Sequence, residues 1–284
     1  MGIAKPQEFF NSIDNVKSLS TLKKKMNAER SYLENQYNTV ASLKNGFTTY
    51  RNYLKANIST DRLIGKKPLI NLLLEQFRLT EEQQAIFNSN KREDIKSNKS
   101  ELRAIYNVDN YLNTANELLN SEYYLDKIIA LCALTGRRAA EIGSTANFEY
   151  LNDDEVVFTG QLKTKTREDV QPYNIPLLSD SKAIIETLKA IRELRPRYVN
   201  KPELFHSATS KDLSVKVKKH FDGLFEGTPR IKDLRAIYAL ICFTEFHKIP
   251  ANKKVDRDVY FSKILGHSES DITTCGSYVD FYIQ

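Results

Sequence analysis

The chain has 284 residues, with 42 Lys and Arg against 36 Asp and Glu, which gives a formal net charge of +6. Hydrophobic residues make up 41% of it, including 15 Tyr and 14 Phe, so a packed core is possible and an intrinsically disordered chain is excluded. The 10 Gly and 8 Pro are few for this length, which predicts a mostly helical protein with few tight turns.

The apolar runs and the cysteines exclude two classes of protein. The longest apolar runs, 128–134 and 236–243, are far shorter than the roughly 18 residues of a membrane-spanning helix. Cys132, Cys242 and Cys275 are scattered and odd in number, so they indicate reduced thiols rather than a disulfide framework or a zinc site. We therefore expect a soluble, cytoplasmic protein that needs no metal and does not associate with membranes.

Positive charge is concentrated near the start of the chain. Residues 21–70 hold ten Lys and Arg but only three Asp and Glu, with four Tyr between them. A solvated helix face would explain this composition. The alternative is a surface that faces phosphates, because clustered cations bind nucleic acids by releasing counterions. Under that interpretation, the DNA-contacting side chains are Lys23, Lys24, Lys25, Arg30, Lys44 and Arg51.

Two domains are predicted along the chain. Residues 4–87 have helical patterning throughout, and 88–100 is polar and aperiodic, which is typical of a linker. These patterns predict a helical first domain over 1–90, a linker over 91–100 and a second domain over 101–284.

The second domain has the pattern of an α+β fold. Helical periodicity from 101 to 142 is followed by three extended segments, 148–151, 155–163 and 171–177, which predict a small antiparallel sheet. Four helices are then expected, and the first should end at Arg195, because a residue that precedes proline avoids helical angles. Their predicted ranges are Ser181–Leu194, 211–221, Ile231–His247 and Arg257–Leu265.

Three polar segments beside apolar helices carry the candidate chemistry, in a chain without the usual nucleotide-binding or zinc-protease motifs. The Arg138 segment (135–141) reads TGRRAAE, the Arg235 segment (232–235) reads KDLR, and the His267 segment (265–267) reads LGH and is followed by Tyr278. Arginine beside buried helices usually has an anionic partner, and two guanidinium groups can hold both non-bridging oxygens of one phosphate.

These segments resemble the signature of the tyrosine recombinases. That signature reads T-G-x-R-x-x-E, then a basic residue three positions before an Arg, then L-G-H and a Tyr. The chain is most similar to the telomere resolvases, or protelomerases, within that superfamily. Lys232 stands where integrases usually have His, 232–239 (KDLRAIYA) looks like the resolvase motif, and Tyr278 follows His267 by eleven residues, a longer spacing than integrases usually have. The resemblance covers roughly 101–284.

The resemblance implies a mostly α fold, in which a helical N-terminal DNA-clamping domain precedes an α+β catalytic domain of the tyrosine-recombinase type. It implies that Tyr278 is the nucleophile, that Arg138 and Arg235 bind the phosphate, and that His267 assists. The family's hairpin lysine is matched by Lys163, with Lys165 as its rival. Glu141 is expected to support the Arg138 helix, and further DNA contacts are expected at Lys232, Lys165 and Arg137.

The implied reaction is DNA transesterification without a cofactor. Tyr278 would form a 3′-phosphotyrosyl link, and each cut strand of an inverted repeat would be joined to its complement, giving two hairpin ends. The expected assembly is a homodimer on double-stranded DNA, associated with the nucleoid of a bacterial or phage-infected cell. Two alternatives remain open at this point: an integrase that exchanges strands between duplexes, and a non-catalytic DNA-binding protein of the same fold.

Overall fold

The structure, a computed structural model, describes residues 4–64, 67–162, 171–267 and 280–284. It divides into two compact units, Met1–Asp94 and Ile95–Gln284, and the boundary falls inside helix α5 (Glu81–Ser100). The segment 91–100, predicted as a linker, is therefore helical. The segment is polar, but it contains neither Gly nor Pro, so nothing in it stops a helix that begins at Glu81.

The first unit is helical apart from one short pair of strands, which the sequence analysis missed. Its helices bury an aromatic core, in which the rings of Tyr50 and Phe77 lie 4.7 Å apart. Each of these strands has only two residues, which is too short for the alternation of apolar and polar residues that predicts a strand. The elements before α5 are α1 (Pro6–Ile13), α2 (Leu19–Gln36), α3 (Val40–Asn57), β1 (Leu63–Ile64), β2 (Lys67–Pro68) and α4 (Leu69–Gln76).

The second unit follows the predicted order of helices, small sheet and helices. The bounds of α8, α10 and α11 agree with the prediction, whereas α9 begins at Pro202 rather than at 211, since proline suits the first turn of a helix. The elements are β3 (Arg103–Ile105), α6 (Val108–Leu119), α7 (Tyr124–Thr135), a π-helical turn (Glu141–Thr145), β4 (Asn147–Asn152), β5 (Glu155–Thr159), β6 (Tyr173–Pro176), α8 (Ser181–Leu194), α9 (Pro202–Phe221), α10 (Ile231–His247), α11 (Arg257–Leu265) and β7 (Phe281–Ile283).

The described part of this unit contains two sheets. Strands β4, β5 and β6 form the predicted three-stranded antiparallel sheet, in that order. Strand β3 pairs in parallel with β7, so that Arg103 is opposite Phe281, and this corrects the expected helix from residue 101 onwards. The partner strand lies at the far end of the sequence, and a three-residue strand carries no local signal that could reveal it.

Helix α7 lies at the centre of the second unit. Ten of its twelve residues are buried, and α6, α8, α9 and α10 pack around it. Burial on every side explains why its sequence is apolar without amphipathic periodicity. The polar Arg138 segment begins where this buried helix ends, so its side chains start from a rigid position.

The described residues contain no helix that is long and apolar enough to cross a lipid bilayer.

Candidate active site

Gly136 ends helix α7 and sets the direction of the Arg138 segment. Its φ of 65° lies in the left-handed region, and its N–H donates to the carbonyl oxygen of Cys132 at 3.1 Å. A Cβ atom at this position would overlap the ring of Tyr238 on α10. Glycine is therefore required both by the backbone angle and by the close approach of α10.

Arg235 joins the three polar segments. Its side chain is only 4% exposed on α10. One terminal nitrogen donates to the carbonyl oxygen of Gly136, and the other donates to that of Leu265 at 2.7 Å. These carbonyls lie two residues before Arg138 and two residues before His267. A single guanidinium group thus holds the Arg138 and His267 segments against the helix that carries Arg235.

The carboxylate of Glu141 fixes the orientation of Arg138. Its carboxylate is fully buried and accepts from the backbone N–H of Arg138 at 2.9 Å and from its guanidinium at 2.6 Å. It also accepts from the backbone N–H of Leu162 at 3.0 Å. Burial alone would raise the pKa of Glu141, but the cationic Arg235, Arg138 and Arg137 outweigh it and lower this pKa below its usual value. Glu141 is therefore ionised and supports Arg138.

Arg137 is buried and hydrogen-bonded within the protein, which argues against its predicted contact with DNA. The side chain is 1% exposed, and its nitrogens donate to the carbonyl oxygens of Thr135 at 3.1 Å and Ile264 at 2.6 Å and to the hydroxyl of Tyr173 at 2.5 Å. Its guanidinium also lies 4.9 Å from the ring centre of Phe158. The sequence could not separate two adjacent arginines, only one of which points into the core.

His267 follows a left-handed turn at the end of α11. Gly266 has a φ of 67°, and the backbone N–H of His267 donates to the carbonyl oxygen of Ser262 at 2.9 Å. The carbonyl oxygen of Gly266 accepts from the side-chain amide of Gln161 at 2.6 Å. This hydrogen bond joins the turn to Gln161, which lies two residues after the end of β5.

The remaining predicted site residues in the second unit divide into two groups. Lys232 is exposed in the first turn of α10, one turn before the buried Arg235, and it remains available to an anionic partner. Tyr278, Lys163 and Lys165 lie outside the described residues.

In the first unit, Arg30 does not have the predicted role. Its guanidinium donates to Glu34 at 2.9 Å, to the carbonyl oxygens of Gln76 and Arg78 at 2.6 and 3.0 Å, and to Gln83 at 3.2 Å. The Nε bond to Glu34 lies within α2, while the terminal nitrogens join α2 to the end of α4, to Arg78 and to α5. Arg30 therefore has a structural role, which argues against its predicted contact with DNA.

The other predicted cations of the first unit are accessible to different degrees. Lys23 and Lys24 are exposed on α2, while Lys25 is half-buried. Lys44 and Arg51 line a cleft of about 500 Å³ together with Arg78. The ammonium group of Lys44 lies 3.6 Å from the ring centre of Phe87 in this unit.

Sequence reasoning missed two polar side chains of the second unit, Gln161 and Tyr173. The Tyr173 hydroxyl accepts from Arg137 and donates to the side-chain oxygen of Gln161 at 2.8 Å. Neither residue belongs to a motif, and Tyr173 is one of 15 tyrosines. Only the folded arrangement reveals that they meet the His267 segment.

Comparison with known proteins places these observations in a family. Residues 101–281 match the family model described as "Telomere resolvase ResT/TelK catalytic domain". The chain is 34% identical over 158 residues to the protelomerase of Yersinia phage PY54, covering 50% of this chain and 25% of that protein. It is 23% identical over 181 residues to the telomere resolvase ResT of Borreliella burgdorferi, covering 63% of this chain and 39% of that protein.

Solved structures show the same fold. A mutant of protelomerase TelA complexed with a DNA hairpin product has a TM-score of 0.84 and 23% identity, covering 98% of this chain and 87% of that one. A selenomethionine form of TelA covalently complexed with substrate DNA has a TM-score of 0.82, with the same identity and coverage. The fold is thus the mostly helical, tyrosine-recombinase-like fold of the protelomerases, as the sequence predicted. Since the family model matches most of its length, the chain belongs to the telomere resolvase ResT/TelK catalytic domain family.

Proposed function

We propose that this protein is a telomere resolvase, which cuts DNA at an inverted repeat and rejoins each strand to its complement as a hairpin. The observation that carries the proposal is the position of Arg235, whose guanidinium holds the Arg138 and His267 segments together within a chain of this family. Two arginines and a histidine on segments held together in this way would supply the positive charge and hydrogen bonds that a pentacoordinate phosphorus transition state requires.

The proposed reaction begins with attack on a DNA phosphate by Tyr278. A bond forms between phosphorus and the phenolic oxygen, and the bond between phosphorus and the 5′-oxygen breaks. The phenol has an ordinary pKa of about 10, so its proton needs an acceptor, for which we assign His267. The proton for the departing 5′-oxygen comes from Lys163, or from its rival Lys165.

In this mechanism Arg138 and Arg235 bind the two non-bridging oxygens of the phosphate. Their charge offsets the negative charge that grows on those oxygens as the phenolic oxygen approaches. Each terminal nitrogen of Arg235 carries two N–H groups, so it can donate to the phosphate as well as to a backbone carbonyl. The buried carboxylate of Glu141 fixes the side chain of Arg138, so this guanidinium does not have to reorganise during the reaction. The phosphotyrosyl bond conserves the energy of the diester, so resealing needs no nucleotide cofactor.

Hairpin formation requires two active sites, because both strands of the repeat must be cut. We therefore propose a homodimer on double-stranded DNA with an inverted repeat, in which the 5′-hydroxyl of the opposite strand attacks each phosphotyrosine. The first unit would serve as the helical DNA-binding domain, with contacts from Lys23, Lys24, Lys25, Lys44 and Arg51, while the second unit would be the catalytic domain and Lys232 an added contact. The phage and bacterial relatives favour action on nucleoid DNA in the cytoplasm.

The experiment uses a pool of linear duplexes that carry inverted repeats of varied sequence. Duplexes that form an SDS-resistant adduct with the protein are selected, sequenced and then tested singly on a denaturing alkaline gel. With the repeat placed off-centre, the expected products are two single strands that fold back on themselves, each twice the length of one arm of the duplex. Both adduct and product should vanish in Tyr278→Phe. Strands exchanged between duplexes would indicate an integrase, and specific binding without an adduct would indicate a non-catalytic DNA-binding protein.

A further inference from the structure

A chain of three hydrogen bonds joins the residue before Arg138 to the residue before His267. The guanidinium of Arg137 donates to the Tyr173 hydroxyl at 2.5 Å, and this hydroxyl donates to the side-chain oxygen of Gln161 at 2.8 Å. The side-chain nitrogen of Gln161 then donates to the carbonyl oxygen of Gly266 at 2.6 Å. The chain begins at a cation and ends at a backbone acceptor, so each bond has one possible direction and polarises the next.

The ends of this chain lie next to the proposed catalytic groups. Arg137 precedes Arg138, and Gly266 precedes His267. Gln161 lies two residues after β5 and two residues before Lys163, so it stands at the beginning of the connection that carries both candidate lysines. The hydrogen bonds therefore join this beginning to the turn that positions His267.

The packing around Gln161 leaves this group of side chains little freedom. A Cβ atom at Gly266 would overlap both the Tyr173 hydroxyl and the side-chain oxygen of Gln161, so the turn fits closely against the two side chains. Tyr173 is itself held by the Phe158 ring, which meets it edge-on at 5.5 Å. The side-chain amide of Gln161 is thus bonded at both ends within a close-packed setting.

We propose that Gln161 is a positioning residue for the general acid of DNA cleavage. It does not touch DNA; its hydrogen bond to the carbonyl oxygen of Gly266 fixes the chain two residues before Lys163 to the His267 turn. This inference rests on the proposed function, in which one of these lysines transfers a proton from its ammonium group to the departing 5′-oxygen. Proton transfer needs hydrogen-bond geometry, and a displacement of about 1 Å can slow a reaction on the order of 100-fold.

The test compares two versions of one cognate duplex. In the second version, sulfur replaces the bridging 5′-oxygen at the cleavage site. A thiolate leaves without protonation because a thiol has a pKa of about 8.5, far below that of an alcohol, so cleavage of this duplex needs no general acid. The variants are Gln161→Leu, which removes both hydrogen bonds of the amide, and Gln171→Leu, the same change at an exposed position beyond the candidate lysines.

We measure the rate of adduct formation at saturating protein, with DNA affinity and thermal melting recorded in parallel. On the oxygen duplex, Gln161→Leu should be slower than Gln171→Leu by about 10- to 100-fold. On the sulfur duplex, the two variants should react equally fast. A loss of the same size on both duplexes, or no loss on the oxygen duplex, would overturn the inference.

The same data separate this inference from the proposed function. If the unaltered protein formed no adduct with either duplex, the proposed function itself would fail and the inference would fall with it. A second variant, Tyr173→Phe, removes the donor to Gln161 and should give the same selective loss on the oxygen duplex. Its matched control is Tyr150→Phe, which removes a hydroxyl bonded to Asp153 on the exposed part of the same sheet. Equal rates for these two variants on the oxygen duplex would contradict the role of the hydrogen-bond chain.

Discussion

The carboxylate of Glu141 is fully buried and binds Arg138 twice, through the backbone N–H at 2.9 Å and through the guanidinium at 2.6 Å. A buried charge is tolerated only when it is paired and hydrogen-bonded, so these contacts fix both the ionisation state of Glu141 and the direction of Arg138. The family signature and the fold therefore both place a fixed cation, Arg138, just after the end of the buried helix α7.

Glu141→Gln should lower stability at neutral pH by on the order of 1–3 kcal/mol, because the neutral amide leaves the surrounding arginines without their buried anion. The pKa of Glu141 is lowered in the folded protein, so the carboxylate stabilises the fold above the ordinary carboxyl pKa of about 4.3. That contribution is lost as the pH falls through the lowered pKa. Urea unfolding measured from neutral to acidic pH should show that the free energy of unfolding falls less steeply with acid in the variant than in the unaltered protein. An identical pH dependence would contradict this assignment.

Two buried aspartates of the second unit should respond in opposite ways to the same substitution. Burial alone would raise the pKa of Asp126, but Lys216, 2.8 Å away, leads the groups that lower it overall. Burial raises the pKa of Asp280, and the nearby Lys232 and Arg103 offset this only in part. When folding raises the pKa of a carboxyl group, its ionisation at higher pH lowers the stability of the fold. When folding lowers that pKa, ionisation increases the stability.

At neutral pH, Asp126→Asn should therefore unfold at lower denaturant concentration than the unaltered protein, and Asp280→Asn should unfold at equal or higher concentration. The two variants are each other's controls, because the chemical change is the same. Destabilisation of both to the same extent would show that the charges around Asp280 outweigh its burial.

Substitutions of Arg30 and of its exposed neighbour Lys24 on α2 should separate effects on stability from effects on DNA binding. Arg30→Ala removes four hydrogen bonds within the first unit and should lower its melting temperature. Lys24→Ala changes an exposed side chain and should leave the melting temperature unchanged. If Lys24 contacts a DNA phosphate, its loss should reduce the slope of log affinity against log salt by about 0.9. A melting temperature lowered equally by both changes would contradict the structural role of Arg30.

Gly136 should tolerate substitution less well than another glycine with a similar backbone angle. Gly223 has a φ of 74°, and a Cβ atom added there would have no other atom within 4 Å. Gly223→Ala should therefore cost only the left-handed backbone penalty of about 1–2 kcal/mol. Gly136→Ala adds overlap with Tyr238 and should be clearly more destabilising in chemical denaturation. Equal losses would mean that α10 yields easily at this contact.

Local patterns predicted part of this fold well. Asp180 and Asp256 accept hydrogen bonds from the first turns of α8 and α11, and Gly266 ends α11, so these boundaries were readable from neighbouring residues. The β3–β7 pair was not readable, because it joins Arg103 to Phe281 across most of the chain. Pairing over such a distance depends on the packing of everything between the two strands.

The candidate site was predictable only in its outline. The three polar segments were found from motifs, and their convergence followed from the resemblance rather than from any local signal. The details depended on the fold, because every guanidinium nitrogen of Arg137 and of Arg30 donates to an acceptor within the protein, which no local pattern shows. The hydrogen bonds of Gln161 depend on groups from separate parts of the chain, so no sequence pattern identifies them.

The attacking side chain can be identified directly in the covalent adduct. After nuclease and protease digestion, mass spectrometry locates the tyrosine that retains a nucleotide. We expect the nucleotide on Tyr278 and none on Tyr260, whose buried phenol has a raised pKa and donates to the carbonyl oxygen of Cys242. A nucleotide on Tyr260 or Tyr282 would contradict the proposed mechanism.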